Sequence, residues 1–184
     1  MNPCKITLIS FGQIEKPNLE IIARDVKREL QVQVEYKEGF IDMSQFFDPS
    51  RSQYDADQLI HLIDTEYASD TTKTIGLFTV DLFIEILTFI YGQAFLNGRS
   101  GIASSFRLNN ERYGMNRNDR LTLKRFSKEI IHELGHTFGL IHCHTPGCVM
   151  MSSTYVEDID LKSHQFCSNC KNELEMIFIN NVKF

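Results

Sequence analysis

Along the first eighty positions the apolar residues follow two different periods. Lys5 to Phe11 is a short apolar run of buried-strand length, and Gly12 opens the loop after it. From Pro17 to about Gln31 the period becomes helical. Leu19, Ile22, Val26 and Leu30 share one face, while Glu20, Arg24, Asp25, Lys27 and Arg28 form a solvated one. Pro17 suits the first turn of that helix because its missing N–H would have no partner there. Val32, Val34 and Tyr36 then alternate with polar residues, as in a half-buried strand. Asp42 to Ser50, with its Asp48-Pro49 pair, reads as a loop, and Gln53 to Tyr67 as a second helix carried by Leu59, Ile60, Leu62 and Ile63. Thr74 to Val80 is rich in β-formers and predicts a buried strand. Gly92 and the Asn97-Gly98 turn set off Gln93–Leu96 and Ile102–Phe106 as an antiparallel pair at a sheet edge. Asn109 to Asp119 is a polar loop, and a long helix follows from about Arg120 to Phe138. The alternation of strands and helices predicts an α/β layered fold.

Composition narrows the function. A chain of 184 residues fits one domain. Nineteen basic against twenty-four acidic residues, a formal net charge of −5, argue against nucleic-acid binding through phosphate neutralisation. No apolar run is long enough to span a bilayer, and the one after Met1 is too short for a signal-peptide core. The chain is therefore expected to be cytoplasmic, with neither nucleic acid nor membrane as a partner. In that reducing compartment clustered cysteines suit metal better than disulfides. Four of the five cysteines lie between Cys143 and Cys170, and four of the six histidines between His132 and His144.

His132-Glu133-Leu134-Gly135-His136 is an H-E-x-x-H motif, continued through Gly139 to His142 as H-E-x-x-H-x-x-G-x-x-H. At average residue frequencies, five fixed positions match by chance on the order of once in 10⁵ such chains. At about 100° per residue, His132 and His136 project from one helix face one turn apart, so their imidazoles can converge on one cation. Arg125 and Glu129 share that face, and Leu123, Phe126, Ile130, Leu134 and Thr137 lie opposite, which predicts a helix burying one side and presenting the histidines to a cleft. Gly139 can end the helix at positive φ and turn the chain back, so that His142 supplies a third ligand. Three neutral imidazoles leave a fourth tetrahedral position open, the arrangement of a catalytic zinc site, with Glu133 placed as general base.

Cys143-x₄-Cys148 and Cys167-x₂-Cys170 form two pairs suited to a closed tetrahedral Cys₄ zinc site. A redox Cys-x-x-Cys at Cys167 and Cys170, or plain buried thiols, are the alternatives. Cys4 stands alone and reads as a structural or surface thiol. The segment after the long helix holds little apolar material of its own, so metal is expected to hold its shape.

The long histidine motif running into Cys143, then Cys148-Val149-Met150, then Phe166-Cys167-Ser168-Asn169-Cys170, resembles the archaemetzincin family of zinc metallopeptidases. Thr79-Val80-Asp81-Leu82-Phe83, Tyr91-Gly92-Gln93-Ala94, Ser105-Phe106-Arg107-Leu108 and Asp160-Leu161-Lys162 are similar to family segments as well, so the likeness covers nearly the whole chain. The resemblance implies a metzincin-like mixed twisted sheet with packed helices, an active-site helix and a small zinc-stabilised C-terminal subdomain. Residues 1–139 would form the first part and 140–184 the second, within one metallopeptidase domain. It implies catalytic zinc on His132, His136 and His142 with Glu133 as base, and a second, structural zinc on Cys143, Cys148, Cys167 and Cys170. It also implies a Met-turn beneath the catalytic metal, at Met150 or the adjacent Met151. The interval from Met150 to Cys167 is one residue shorter than the usual family spacing.

Other residues weigh less. Tyr155, after the Met-turn, reads as a packing residue rather than a transition-state donor. His144 and His164 lie beside complete ligand sets. Arg117, Arg120, Lys124 and Lys128 form a basic stripe expected to be a solvated helix face. The expected function is zinc-dependent hydrolysis of a peptide or protein by a monomer. The alternatives are a catalytically silent zinc-stabilised peptide-binding module and, more remotely, a thiol redox switch.

Overall fold

The computed structural model describes residues 5–181. Its main sheet has five strands in the order β2 (Gln33–Glu38), β1 (Lys5–Ser10), β5 (Thr72–Phe78), β9 (Ser100–Ser104) and β8 (Gly92–Ala94). The first four run parallel, with Lys5 opposite both Gln33 and Thr72 and Thr74 opposite Ser100, and β8 closes the edge antiparallel to β9. Two of the links between parallel strands are helical crossovers: α1 (Lys16–Leu30) joins β1 to β2, and α2 (Ala56–Leu62) with a π-helical turn at Ile63–Tyr67 lies between β2 and β5, whereas the link from β5 to β9 is made of short strands.

Helices on both faces explain why β1, β5 and β9 are almost fully buried. On one face Ile6, Leu8, Ile75, Leu77 and Ala103 meet Leu19, Ile22, Val26 and Leu30 of α1, and also Phe126, Ile130 and Leu134 of α3 (Asp119–Thr137). On the other, Phe78 and Ile102 meet Ala56, Leu59, Ile60 and Ile63. Each fully buried aliphatic side chain contributes about 1.5–3 kcal/mol of transfer free energy. Helix ends follow local chemistry. The Asp55 side chain accepts from the Gln58 N–H at 3.1 Å to start α2, and Asn118 accepts from the Leu121 N–H at 3.0 Å to start α3.

The expected second helix over Gln53–Tyr67 begins three residues later than its apolar period suggests. Gln53–Asp55 is a strand, β4, and α2 starts only after the Asp55 cap. β4 belongs to a second sheet in the order β3 (Phe47–Asp48), β4, β6 (Leu82–Ile84) and β7 (Leu87–Ile90), within stretches that carry little regular patterning. The pairing Tyr54 to Leu82 is long-range and has no local signature. The Asp42–Ser50 loop holds a 3-10 turn over Met43–Phe46 as well as β3.

After Gly139 the chain forms α4 (Val156–Leu161) and α5 (Ser168–Asn181), elements with no expectation above. This segment is less apolar-poor than it reads: Leu140, Val149, Met150, Ile159, Phe166 and Leu174 are buried in the same core as α1 and α3. Cys4 lies outside the described residues.

Candidate active site

α3 is buried from Arg125 to Gly135 rather than on one side only, because α4 and the segment after it cover the face opposite the sheet. The histidines therefore reach a cleft only at the helix's last turns. Gly139 stands at φ 101°, a conformation a Cβ would strain. Its N–H donates to the His136 carbonyl at 2.9 Å and the Leu140 N–H to that of Gly135 at 3.0 Å, the double closure of a Schellman end. The reversed chain returns His142 to the helix, where its ring centroid lies 5.3 Å from that of His132 and 4.9 Å from that of His136. One ring nitrogen of each of the three lies within 4.8 Å of the others, and Nε2 of His132 and His136 are 3.1 Å apart.

Backbone carbonyls set the tautomers. Nδ1 of His132 lies 2.8 Å from the Val149 oxygen and Nδ1 of His136 lies 2.7 Å from the Leu140 oxygen. A carbonyl only accepts, so each Nδ1 carries the proton and each Nε2 turns its lone pair toward the shared centre. Burial, the largest cause, pushes all three imidazoles below the ordinary histidine range, so they are neutral at pH 7. A tetrahedral zinc with bonds of about 2.0–2.1 Å to nitrogen separates its ligands by about 3.3 Å. The donor set fits that ion, and the exposed side of His142 leaves the centre open.

Glu133 is 5% exposed and stands beside this centre, in a space that Gly92 leaves free. Burial raises its carboxyl well above the usual range, the nearby Glu129 adds to that, and Lys162 opposes it. The three histidines and Glu133 line one cleft of about 590 Å³, bounded by Leu87 to Ala94 on one side and by Ser152 to Thr154 on the other. Met150 is fully buried against Gly135, which lies between His132 and His136 in the chain, whereas Met151 is half-buried. Met150 is thus the methionine packed on the histidine-bearing end of α3.

The four cysteines Cys143, Cys148, Cys167 and Cys170 gather in a second cluster. Sγ of Cys143 and Cys167 are 3.7 Å apart, and those of Cys148 and Cys170 3.8 Å. These separations exclude disulfide bonds. They match the edge of about 3.8 Å in a tetrahedron of thiolates around zinc with bonds of about 2.3 Å. Burial pushes the Cys148 and Cys170 thiols up. At Cys167 burial also acts upward, but surrounding donors, the Cys170 N–H foremost, bring the thiol down to about 6. The two clusters are tied together: the Cys143 N–H donates to the Met150 oxygen at 2.9 Å, and Val149, whose oxygen holds His132, donates its N–H to Gln165.

Every residue singled out from the two metal motifs thus falls into one of two clusters. The basic stripe does not hold together. Arg117, Arg120 and Lys124 are exposed, but Lys128 is buried and its Nζ donates to the Ile159 carbonyl at 2.9 Å. Arg125 is also buried, paired with Asp160 at 2.6 Å and donating to Asn110 and the Leu108 carbonyl. Tyr155 is 67% exposed, so the packing role does not apply, and it does not line the cleft. His144 is exposed and His164 half-buried, and neither joins a cluster. Tyr91, Gly92, Glu129 and Lys162 also stand at the site with no motif of their own. Their signals in the sequence are Glu129's place on the histidine face of the helix and the family-like segments that hold Tyr91-Gly92 and Lys162.

An open imidazole triad with an adjacent buried glutamate, carried by the edge-facing helix of a mixed sheet, defines a zinc-dependent metallopeptidase. The chain belongs to peptidase family M54, whose sequence model matches residues 13–176. It is 32% identical over 180 residues to the archaemetzincin of Saccharolobus solfataricus, a match spanning 96% of each chain. The crystal structure of archaemetzincin from Methanopyrus kandleri superposes with a TM-score of 0.82 at 31% identity, over 98% of this chain and 96% of that one. A zinc-dependent peptidase from Methanocorpusculum labreanum gives a TM-score of 0.81 at 27% identity, over 92% and 99%. The archaemetzincin resemblance and the mixed α/β fold expected from the sequence are borne out.

Proposed function

We propose that His132, His136 and His142 hold the catalytic zinc, that Glu133 is the general base, and that Cys143, Cys148, Cys167 and Cys170 hold a second, structural zinc. The observation that carries the reading is the convergence of one ring nitrogen from each of three histidines, with His132 and His136 held by Nδ1–carbonyl bonds that turn Nε2 inward, beside the buried Glu133 side chain. When bound, zinc supplies Lewis acidity, which polarises the scissile carbonyl and acidifies water. Glu133 accepts the proton of the attacking water and passes it to the departing amine nitrogen. The outer edge of β8 ends the sheet and lines the cleft, so its backbone groups can pair with an extended peptide and hold the bond beside Glu133.

Residues 1–139 supply the scaffold and active helix, and 140–184 the covering segment with the cysteine site. Both clusters and the cleft are built by one chain, which supports action as a monomer. Four free thiols arranged as ligands suit a reducing compartment, which supports a cytoplasmic location. Among the described residues no helix is long and apolar enough to cross a membrane.

The test combines metal analysis with digestion of a diverse peptide library by the wild type and by Glu133→Ala. Two zincs per chain are expected in both proteins and cleavage products only with the wild type. Two zincs with no products from either protein across a broad pH range would favour the peptide-binding alternative.

A further inference from the structure

Glu129 and Lys162 are both buried, with side chains 4% and 1% exposed, and Nζ lies 3.5 Å from Oε1. Neither of those atoms has a hydrogen bond, so the pair is an ion pair that leaves its polar capacity unused. Glu129 nevertheless lines the cleft. It precedes Glu133 by one helical turn, an offset of about 6 Å along α3 at 1.5 Å per residue, on the same face. That offset corresponds to a substrate side chain next to the scissile bond and not to the bond itself. Two further polar groups stand at the same cleft. Ser153 Oγ is buried without a partner, and the Tyr91 hydroxyl is buried beside Tyr113 and Glu129.

We infer that Glu129, backed by Lys162 and flanked by Tyr91 and Ser153, is a specificity subsite that takes an amide side chain, asparagine or glutamine, of the bound peptide. Glu129 accepts from the amide NH₂, and the hydroxyls can donate to its carbonyl oxygen. The charges select against a cation. Lys162 already neutralises Glu129, so a lysine or arginine of the substrate would place a second ammonium against a buried one. An apolar side chain would leave the carboxylate and Ser153 buried without partners, which is the stronger form of discrimination in a desolvated site. The subsite rests on the peptide-binding part of the function proposed above.

The test uses zinc-loaded Glu133→Ala protein and a peptide set in which Gln, Asn, Met, Leu and Lys are moved through each position. Binding is read by calorimetry, and kcat/KM of the wild type is measured on the same peptides. At one position Gln or Asn is expected to bind about tenfold or more tightly than Met, Leu or Lys, the ratio that one hydrogen bond to a charged group gives. Adding Glu129→Leu and Lys162→Met together replaces the buried pair by apolar groups, a change that folds usually tolerate. That ratio is then expected to fall to about one, and Glu129→Met with Lys162→Leu, which likewise removes both the acceptor and the buried charges, serves the same purpose if the first double variant does not fold.

Equal binding of Gln and Met at every position, a preference for Lys, an amide preference that survives both variants, or an equal loss for all peptides would overturn the subsite. The last result would mark the pair as purely structural. If the wild type cleaves nothing while the amide preference in binding holds, the peptidase reading fails and the subsite stands.

Discussion

Gly92 and Glu133 are in direct contact: a Cβ added at residue 92 would lie 2.7 Å from Glu133 Oε1, 2.8 Å from its Cγ and 2.8 Å from the Ile102 carbonyl oxygen. The glycine is required by close approach, since β8 passes over the helix at Glu133. Gly92→Ala must therefore displace either the carboxylate or the edge strand. The expected result is a kcat lowered by about 10²-fold with zinc content unchanged, because the nearest atoms to the added Cβ belong to Glu133 and Ile102 and not to a histidine, and misplacement by about 1 Å has that effect on rate. Metal analysis with steady-state kinetics on one cleaved peptide checks it. An unchanged kcat would mean that Glu133 need not occupy its observed place.

Met150 and Met151 are adjacent in sequence and differ in environment. Met150 is fully buried under Gly135 and against the core, and Met151 is half-buried. Met150→Ala is expected to destabilise the folded protein by about 2–5 kcal/mol through lost contacts and a residual cavity. Met151→Ala should have an effect of under about 1 kcal/mol. Denaturant unfolding of both variants in zinc-saturated buffer measures the difference, and equal effects would contradict the burial.

Zinc binding should release more protons at the cysteine site than at the histidine site. Burial holds the Cys148 and Cys170 thiols above their ordinary range, so both are protonated at pH 7.5 before metal arrives and must ionise to become ligands. The histidine imidazoles are held low and are already neutral. Calorimetric titration of apo His132→Ala/His136→Ala protein in buffers of different ionisation enthalpy should give about two protons or more per zinc. A cysteine-site variant should give about one or fewer, from the water that zinc acidifies.

Asp64 ties the π-helical turn after α2 to the start of β9. Its carboxylate accepts from Arg99 Nε at 3.1 Å and from Ser100 Oγ at 2.7 Å. The Arg99 hydrogen bond, the largest cause, with help from Ser100, holds its carboxyl below the ordinary value of 3.8. A depressed carboxyl stabilises the fold fully above that ordinary value and loses the contribution as pH falls through the native one. Asp64→Asn should thus be less stable than the wild type by about 1 kcal/mol at pH 6, a modest figure because the pair is partly solvated. The gap should close below pH ~3.8. Thermal unfolding of apo-proteins of both kinds across this range tests the sign, since metal loss then affects neither. A gap that widens in acid would refute it.

What was legible in the sequence rested on local rules. The α1 face of Leu19, Ile22, Val26 and Leu30 follows from a 3.6-residue period, and all four are buried as that period requires. The histidine and cysteine clusters follow from spacing, because residues four apart on a helix share a face and a glycine at positive φ reverses the chain within three residues. The fold class followed from strand–helix alternation, which needs no knowledge of which strand pairs with which.

Tertiary structure decided what depends on distant neighbours. Gln53–Asp55 joins a sheet because Leu82 and Phe83 offer it a partner, against the helical period of its own segment. Lys128 reads as a surface charge, yet α4 folds over it and supplies the Ile159 carbonyl. The cleft brings Gly92 from the sheet edge and Glu129 from the helix to the sides of one carboxylate, while Lys162, more than thirty residues along the chain, lies behind Glu129. Helical period and ligand spacing are properties of a few consecutive residues, so the sequence alone carries them. Burial, pairing and the charge surrounding a group are properties of what the rest of the chain brings to it, and they exist only once the chain has folded.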